Sequence, residues 1–167
     1  ANYIKRSSVA EYKKQGRGGK GRRGMATREE DVIEHLVNAS THDFLLFFTN
    51  KGRVFRLKAY EVPAASLNAK GIAIVNLLQL QPEEMVSSVI NVSKQMNGGN
   101  LFMCTVRGVV KKTPFDQYQN VRSSGLIAIN LDDGDELKWI RMTNIDNEVV
   151  ISTEQGQAIR FHEKDVR

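Results

Sequence analysis

A short segment occurs three times along this chain of 167 residues. Each copy carries a glycine with a basic residue four places after it, and each follows an apolar run. The copies cover residues 50–57, 106–113 and 154–161, and the apolar runs cover residues 44–48, 101–104 and 149–151. An apolar run, a turn glycine and a second run are typical of a β-hairpin. The chain is therefore predicted to fold as a series of similar hairpins.

A second sequence landmark recurs at a similar distance after two of the hairpin turns. Gly71 and Gly125 open two similar apolar segments, and they follow the turn glycines of their units by 19 and 17 residues. At the N-terminus, residues 3–6 fit the hairpin pattern, so Lys5 stands at the repeated basic position and the chain is expected to begin inside a repeat. Two landmarks that hold their phase over about 50 residues indicate a propeller-type array of small antiparallel sheets.

The predicted fold class is therefore all-β, with about three to four four-stranded blades. The predicted units cover residues 1–49, 50–105 and 106–153, and residues 154–167 start a further unit. Since a propeller usually has about four to eight blades, we expect part of one, or an open array whose terminal blades carry exposed edges.

One segment fits this pattern poorly. Residues 30–37 place Val32, Ile33, Leu36 and Val37 at helical spacing after three acidic residues, which is typical of a helix N-terminus. By repeat position the same segment corresponds to strands in the later units, and tertiary context often overrides local pattern. We therefore predict a strand here.

Positive charge is concentrated near the N-terminus. The chain has 24 Lys and Arg against 19 Asp and Glu, and residues 1–23 alone hold eight basic groups and one acid. Dense positive charge among glycines suits a phosphate backbone, because counterion release rewards it and glycine permits close approach. This pattern favours nucleic-acid binding. A solvated tail, or contact with an acidic protein or a membrane surface, remains the alternative.

Composition and spacing exclude several function classes. No apolar run approaches the roughly 18 to 20 residues of a membrane span, and there is no apolar signal segment, which predicts a soluble, non-secreted chain. Cys104 stands alone and is predicted to be a small core residue, while three scattered histidines supply no metal site. The acidic residues within 132–136 are predicted to form a solvated turn, and the aromatic residues, Trp139 among them, to lie in the core. No nucleophile is paired with a base, so no catalytic residue is expected.

A glycine-rich loop carries part of the basic charge. It consists of Gln15, Gly16, Arg17, Gly18, Gly19, Lys20 and Gly21. The loop contains a formal GxGxxG match, but no buried strand precedes it and no helix follows, so a dinucleotide site is not expected. A P-loop is also excluded, because Lys14 replaces its first glycine and Gly21 replaces its Ser or Thr. Exposed N–H groups with Arg17 and Lys20 suit phosphate, which predicts contact with a nucleic-acid backbone rather than with bases. The alternative is a simple turn between repeats.

This loop resembles the seven-residue box Gln-Arg-Arg-Gly-Gly-Lys-Gly of the C-terminal domain of the DNA gyrase A subunit. Six of the seven positions match, and Gly16 replaces the first arginine. Residues 27–31, 41–44, 47–54 and 69–78 resemble the same domain, so the resemblance covers essentially the whole chain. It implies a partial β-pinwheel, a propeller-like disc whose blades exchange strands and whose basic rim bends DNA. Discs of this family commonly have more blades, so the chain is expected to be truncated.

The resemblance also implies a function. The domain would bind and wrap duplex DNA without sequence specificity, so that the intact ATP-dependent type II topoisomerase introduces negative supercoils. The chain itself would hold no catalytic residue, cofactor or metal, since ATP and magnesium act through other domains. Its implied partners are double-stranded DNA, the rest of the A subunit, and the gyrase B subunit, in the bacterial cytoplasm and associated with the nucleoid. The alternatives are a topoisomerase IV-type C-terminal domain and a propeller-like scaffold for protein partners.

Basic residues outside the box are expected to extend the DNA-binding surface along the rim. The repeated basic position gives Lys5, Arg56, Lys112 and Arg160. The other candidates are Arg6, Lys13, Lys14, Arg22, Arg23, Arg53, Lys58, Lys70, Arg107, Lys111 and Arg122. A solvated strand end explains any one of them equally well, but recurrence in register favours a positive stripe. Smooth bending of a short DNA site costs about 1 to 6 kcal/mol, so several phosphate contacts must act together.

Overall fold

The computed structural model describes residues 3–21, 23–25, 32–93 and 98–167. Within these residues the regular elements are eleven β-strands and five short 3₁₀ helices, so the predicted all-β class is confirmed. The strands are β1 (Tyr3–Ile4), β2 (Phe44–Thr49), β3 (Arg53–Lys58), β4 (Ile72–Ala73), β5 (Val86–Val92), β6 (Asn100–Thr105), β7 (Val110–Pro114), β8 (Leu126–Ile127), β9 (Leu137–Thr143), β10 (Glu148–Ser152) and β11 (Ala158–His162). The 3₁₀ helices are Val9–Glu11, Ala59–Glu61, Ile74–Asn76, Phe115–Tyr118 and Glu163–Asp165. No helix in this part of the chain is long and apolar enough to cross a membrane.

The strands form four antiparallel sheets. One sheet has the order β5-β2-β3-β8 and another the order β7-β6-β9, while β1 pairs with β4 and β10 pairs with β11. The three predicted hairpins are confirmed as the pairs β2–β3, β6–β7 and β10–β11. The predicted unit boundaries after residues 49, 105 and 153 fall inside these hairpin turns, so the sheets are offset from the sequence units.

The same turn closes all three hairpins. The carbonyl of Thr49, Thr105 or Thr153 accepts a hydrogen bond, in each case 3.0 Å long, from the N–H of the glycine three residues later. Each threonine Oγ1 accepts a second bond, of 3.0 to 3.2 Å, from the N–H four residues later. The turn glycines have φ angles of +74°, +85° and +83°, which glycine adopts without strain. Threonine and glycine at fixed spacing therefore explain why the repeat turns where it does.

Two of these glycines differ in their surroundings, which gives a matched test. A Cβ on Gly52 would lie 2.4 Å from the Ile129 carbonyl oxygen, whereas a Cβ on Gly156 would meet nothing within 4 Å. Gly156→Ala is expected to cost about 1 to 2 kcal/mol of unfolding free energy, because of its left-handed φ alone. Gly52→Ala is expected to cost about 1 to 3 kcal/mol more, since backbone must move. Urea unfolding followed by Trp139 fluorescence measures both, and equal losses would contradict the close packing at Gly52.

The outermost strand of a blade comes from the following unit. Strand β8 pairs with β3 through Arg53 opposite Ile127, and β4 pairs with β1 through Tyr3 opposite Ala73. These two short strands are the second landmark of the repeat. Each begins directly after a glycine with positive φ, Gly71 or Gly125. The landmark is therefore the exchanged strand, as the pinwheel resemblance implied.

Strand β2 is buried on both faces. Leu46 and Phe48 pack on one side, in a core that includes Leu101 of β6 and Leu137 of β9. The neighbouring residues of β2, Leu45 and Phe47, pack on the other side, in a second core with Phe55, Ile74 and Val86. Burial on both faces explains why β2 is a continuous apolar run, whereas a strand with one solvated face would alternate apolar and polar residues. Each core fills the space between two consecutive blades.

The prediction of a strand at residues 30–37 is wrong for the described part of that segment. Residues 26–31 lie outside the described residues, and residues 32–37 form neither strand nor helix. Val32 and Leu36 are 77% and 88% exposed. Residues 34–37 nevertheless share an open groove with β5 and β9, the strands that hold the equivalent position in the later units. Although β5 and β9 are edge strands of their sheets, the described part of the segment pairs with neither of them, and an unpaired strand is not stable.

Candidate nucleic-acid interface

The glycine-rich loop, residues 15–21, is held together by a glutamine side chain. Gln15 Oε1 accepts a 2.9 Å hydrogen bond from the N–H of Gly21, and the N–H of Gly19 donates to the Gly16 carbonyl over 3.3 Å. Gly18 and Gly21 have φ angles of +77° and +73°. The loop therefore folds back on itself, with Gln15 inside the bend.

Two glycines of this loop have different roles. A Cβ on Gly19 would lie 2.4 Å from Gln15 Oε1 and 2.9 Å from Gln15 Cβ, so position 19 has no room for a side chain. A Cβ on Gly16 would meet nothing within 4 Å. A side chain at position 19 would therefore displace Gln15 from the bend, whereas position 16 is free to carry a larger residue.

The cations of the loop and its flanks point into solvent. They are Lys13, Lys14, Arg17, Lys20 and Arg23, and all five are exposed. Within the described residues none of their side chains makes a hydrogen bond or an ion pair. Arg22, also predicted to bind DNA, lies outside the described residues. Uncompensated cations around a bend rich in backbone N–H groups form a surface suited to phosphate.

The repeated basic position has a different environment. Lys5 Nζ donates to the Ser66 and Leu67 carbonyls over 2.8 and 2.6 Å, and Lys112 Nζ donates to the Glu163 carbonyl over 2.9 Å. Arg56 donates to the Gln119 carbonyl and lies over the Phe44 ring, 3.3 Å from its centroid. Burial lowers the pKa of Lys5, although the nearby charge of Glu11 opposes this effect. Burial also lowers the pKa of Arg56.

Most other predicted rim cations are also engaged with the protein. Their partners are the Val62 carbonyl for Arg6, the Glu84 carboxylate for Arg53, the Phe44 ring for Lys58, the Tyr3 ring for Lys70, the Asp133 carbonyl for Arg107 and the Ala128 carbonyl for Lys111. Arg122 is exposed and has no partner within the described residues. Arg160 is exposed and lies 3.8 Å from an exposed carboxylate of Glu148. The cations of the loop therefore have no protein partner within the described residues, whereas most of the predicted rim cations of the blades have one.

A buried carboxylate lies beside each of the first two hairpins, and the sequence analysis missed both. Glu84 accepts hydrogen bonds from the Thr49 hydroxyl, from Arg53 and from the Gln81 N–H, each 2.7 Å long. Asp135 accepts from the N–H groups of Arg107 and Glu136. Glu84 stands two residues before β5 and Asp135 two residues before β9, the strands that flank the two hairpins. This shared spacing is the one sequence signal that could have identified the two acids as equivalent.

Asp135 corrects the prediction of a solvated acidic turn. Asp132, Asp133 and Glu136 are exposed, but Asp135 is only 8% exposed. Burial acts to raise the pKa of Asp135, but hydrogen bonds from the Thr105 hydroxyl and from two backbone N–H groups hold that pKa below its ordinary value. The hairpin turn, rather than solvent, therefore binds this carboxylate.

Two further residue predictions have clear outcomes. Cys104 is buried, as predicted, and burial raises the pKa of its thiol. The prediction that Trp139 lies in the core is wrong, because it is 45% exposed beside Lys138 in the groove next to residues 34–37. Among the described residues no group of three or more metal-ligating side chains lies close enough to hold an ion.

Comparison with known proteins gives concordant results. A family model for the DNA gyrase C-terminal domain, described as a beta-propeller, matches residues 1–40, 43–93, 99–144 and 147–167. The chain is 48% identical over 165 residues to the DNA gyrase A subunit of Halalkalibacterium halodurans, and the match covers 99% of this chain and 20% of that protein. The chain therefore spans about a fifth of the length of the curated relatives it matches.

Two solved structures have the same fold. A C-terminal domain of DNA topoisomerase IV superposes with a TM-score of 0.82 at 29% identity, covering 99% of this chain and 50% of that chain. A DNA gyrase A C-terminal domain superposes with a TM-score of 0.67 at 25% identity, covering 99% of this chain and 53% of that chain.

Proposed function

This chain belongs to the DNA gyrase C-terminal domain family, and on that premise we propose that it binds duplex DNA through the loop at residues 15–21 and bends the duplex around the rim of its blades. The exposed loop cations, none of which has a partner within the described residues, are the observation that carries the proposal. Positive charge left uncompensated by the protein is available to phosphate.

The loop contacts the phosphate backbone and reads no bases. Arg17 can form a bidentate bond to one phosphate, while Lys20 supplies a mobile point charge. The bend held by Gln15 keeps both cations on one short loop. Because phosphate contacts carry no sequence information, binding is non-specific, and any preference among sequences follows the ease with which they bend.

The location of the loop supports bending rather than simple retention. Residues 15–21 occupy the repeat position of residues 65–71 and 119–125, the loops that lead into the exchanged strands β4 and β8. Strand β8 is the outermost strand of its sheet. The cationic loop therefore belongs to the outer rim, where a duplex can follow successive blades.

In the longer protein this wrapping serves the topoisomerase reaction. The wrapped segment is presented for ATP-driven strand passage, which introduces negative supercoils, while the gyrase B subunit, together with the rest of the A subunit, supplies the catalytic groups. This module contributes DNA geometry and no chemical step. The enzyme acts in the bacterial cytoplasm.

A salt titration tests the proposal. Fluorescence anisotropy with a labelled duplex of about 40 base pairs gives the affinity between about 50 and 200 mM salt. The salt slope, the slope of log affinity against log salt concentration, has a magnitude of about 0.9 for each phosphate that the protein contacts. A slope equivalent to several phosphates on any duplex sequence is expected. Weak binding that does not distinguish duplex DNA from heparin would instead favour a scaffold for acidic proteins.

Position 16 offers a gain-of-function test. The φ angle of Gly16 is not left-handed, and a Cβ at this position would meet no atom within 4 Å, so Gly16→Arg is expected to fold normally. The new arginine is expected to add one phosphate contact. The salt slope should steepen by about 0.9. Gln157→Arg adds the same charge at an exposed position in the third hairpin turn and serves as the control. If both variants steepen the slope equally, the loop is no special site for phosphate.

A further inference from the structure

The repeated basic residue joins consecutive units of the array. Lys5, Arg56 and Lys112 stand at the same position in three successive units, and each donates to a backbone carbonyl of the unit that follows. The acceptors are Ser66 and Leu67 for Lys5, Gln119 for Arg56, and Glu163 for Lys112. All three cations join consecutive units, but Lys5 and Arg56 contact the loop before an exchanged strand, whereas Lys112 contacts the 3₁₀ helix Glu163–Asp165.

The fourth copy of this residue behaves differently. Arg160 belongs to the last unit of the chain, and its side chain is 70% exposed. Its neighbour is the Glu148 carboxylate of its own hairpin, 3.8 Å away and 58% exposed. Among the described residues the repeated cation thus donates to a carbonyl of another unit in three copies and is exposed in the fourth.

The carbonyl acceptors of Lys5 and Arg56 lie where they can set the geometry of the rim. Ser66 and Leu67 belong to the loop before β4, and Gln119 belongs to the loop before β8. Counted back from Gly21 and Gly71, Ser66 and Leu67 correspond to Gly16 and Arg17 of the cationic loop. Lys5 and Arg56 therefore each bind the rim loop of the next unit.

We propose that the repeated basic residue is a latch between consecutive sequence units, which in the case of Lys5 and Arg56 fixes the position of the following rim loop and so acts as a positioning residue for DNA bending. A charge-assisted hydrogen bond to a backbone carbonyl is directional and partly shielded from solvent here. The latch cation is occupied by the protein and makes no phosphate contact. The effect on DNA rests on the proposed function, whereas the effect on the blades does not.

The latch is tested first without DNA. Arg56→Met and Lys112→Met keep the aliphatic stem but remove the donor, and Arg160→Met removes the same charge from the unlatched copy. Hydrogen exchange is read at the Gln119 N–H, which donates to Asp116, and at the Val166 N–H, which donates to Glu163. We expect about tenfold faster exchange at Gln119 in Arg56→Met and at Val166 in Lys112→Met, with no change in Arg160→Met. Unchanged exchange in the first two variants would overturn the latch.

DNA binding by the same variants separates a latch from a phosphate contact. Arg56→Met and Lys112→Met should leave the salt slope as in the parent chain, while the linking-number change imposed on circular DNA falls at least twofold. Arg56→Lys and Lys112→Arg, which can still donate, should restore both exchange and wrapping. A slope reduced by about 0.9 would identify a phosphate contact and overturn the proposal. If the parent chain does not bind DNA at all, the proposed function fails, and the exchange data alone decide the latch.

Discussion

Replacing Arg17 and Lys20 together by alanine should abolish the linking-number change expected from the proposed wrapping of circular DNA. Both side chains are exposed, and neither has a partner within the described residues. Loss of two phosphate contacts lowers the salt slope by about 1.8, so the affinity ratio between 50 and 200 mM salt should shrink about tenfold. Wrapping is lost more completely than binding, because bending costs about 1 to 6 kcal/mol and needs every contact that anchors the bent duplex.

The control for this experiment removes the same charge elsewhere. Lys138→Ala with Lys164→Ala takes two exposed lysines from outside the loop and is expected to keep most of the wrapping. Both double variants should fold like the parent chain, since none of the four cations forms an ion pair within the described residues. Equal, small losses of binding and wrapping in the two double variants would mean that overall charge, and not the loop, attracts DNA.

Glu84→Leu is expected to lower the free energy of unfolding by about 3 to 5 kcal/mol. Glu84 is 4% exposed, and its carboxylate accepts from the Thr49 hydroxyl, from Arg53 and from the Gln81 N–H. Its removal leaves the Arg53 guanidinium, with a side chain only 16% exposed, without its counter-charge. An unpaired charge in a largely buried site is costly, because the carbonyl groups of Gln79 and Ser124 that remain as partners carry no counter-charge.

A double variant shows whether the lost charge pair causes this effect. Arg53→Met combined with Glu84→Leu removes both charges and is expected to recover part of the loss, as replacement of buried pairs by apolar residues often does. Urea unfolding followed by Trp139 fluorescence gives the free energies of the two single variants and the double variant. Strictly additive losses would show that Arg53 and Glu84 do not act as a pair.

The hairpins were predictable because their signals are local. Gly52, Gly108 and Gly156 recur with apolar runs on either side, and such a turn needs only backbone freedom at one residue. The short strands β4 and β8 were marked by Gly71 and Gly125, which follow the turn glycines at similar distances of 19 and 17 residues. The segment at residues 32–37 was not predictable in this way, because whether it forms a strand depends on a partner edge that no local pattern reveals.

The candidate site was predictable only in outline. Charge density and glycine content located the loop at residues 15–21, but Lys5, Arg56 and Lys112 carry the same charge as Arg17 and have carbonyl partners instead of open solvent. Whether a surface cation is free depends on backbone carbonyls brought close by the tertiary fold, and a carbonyl has no residue-type signature. The buried Glu84 was missed for the same reason, since it lies 31 residues along the chain from Arg53.

The most direct test of DNA wrapping is the ligation of nicked circular DNA with excess protein at low salt, followed by removal of the protein and measurement of the linking-number distribution. A wrapping module should shift the distribution in one direction, in proportion to the protein bound, and the shift should vanish with Arg17→Ala and Lys20→Ala. A distribution identical to that of free DNA, although the protein demonstrably coats the circles, would contradict the account.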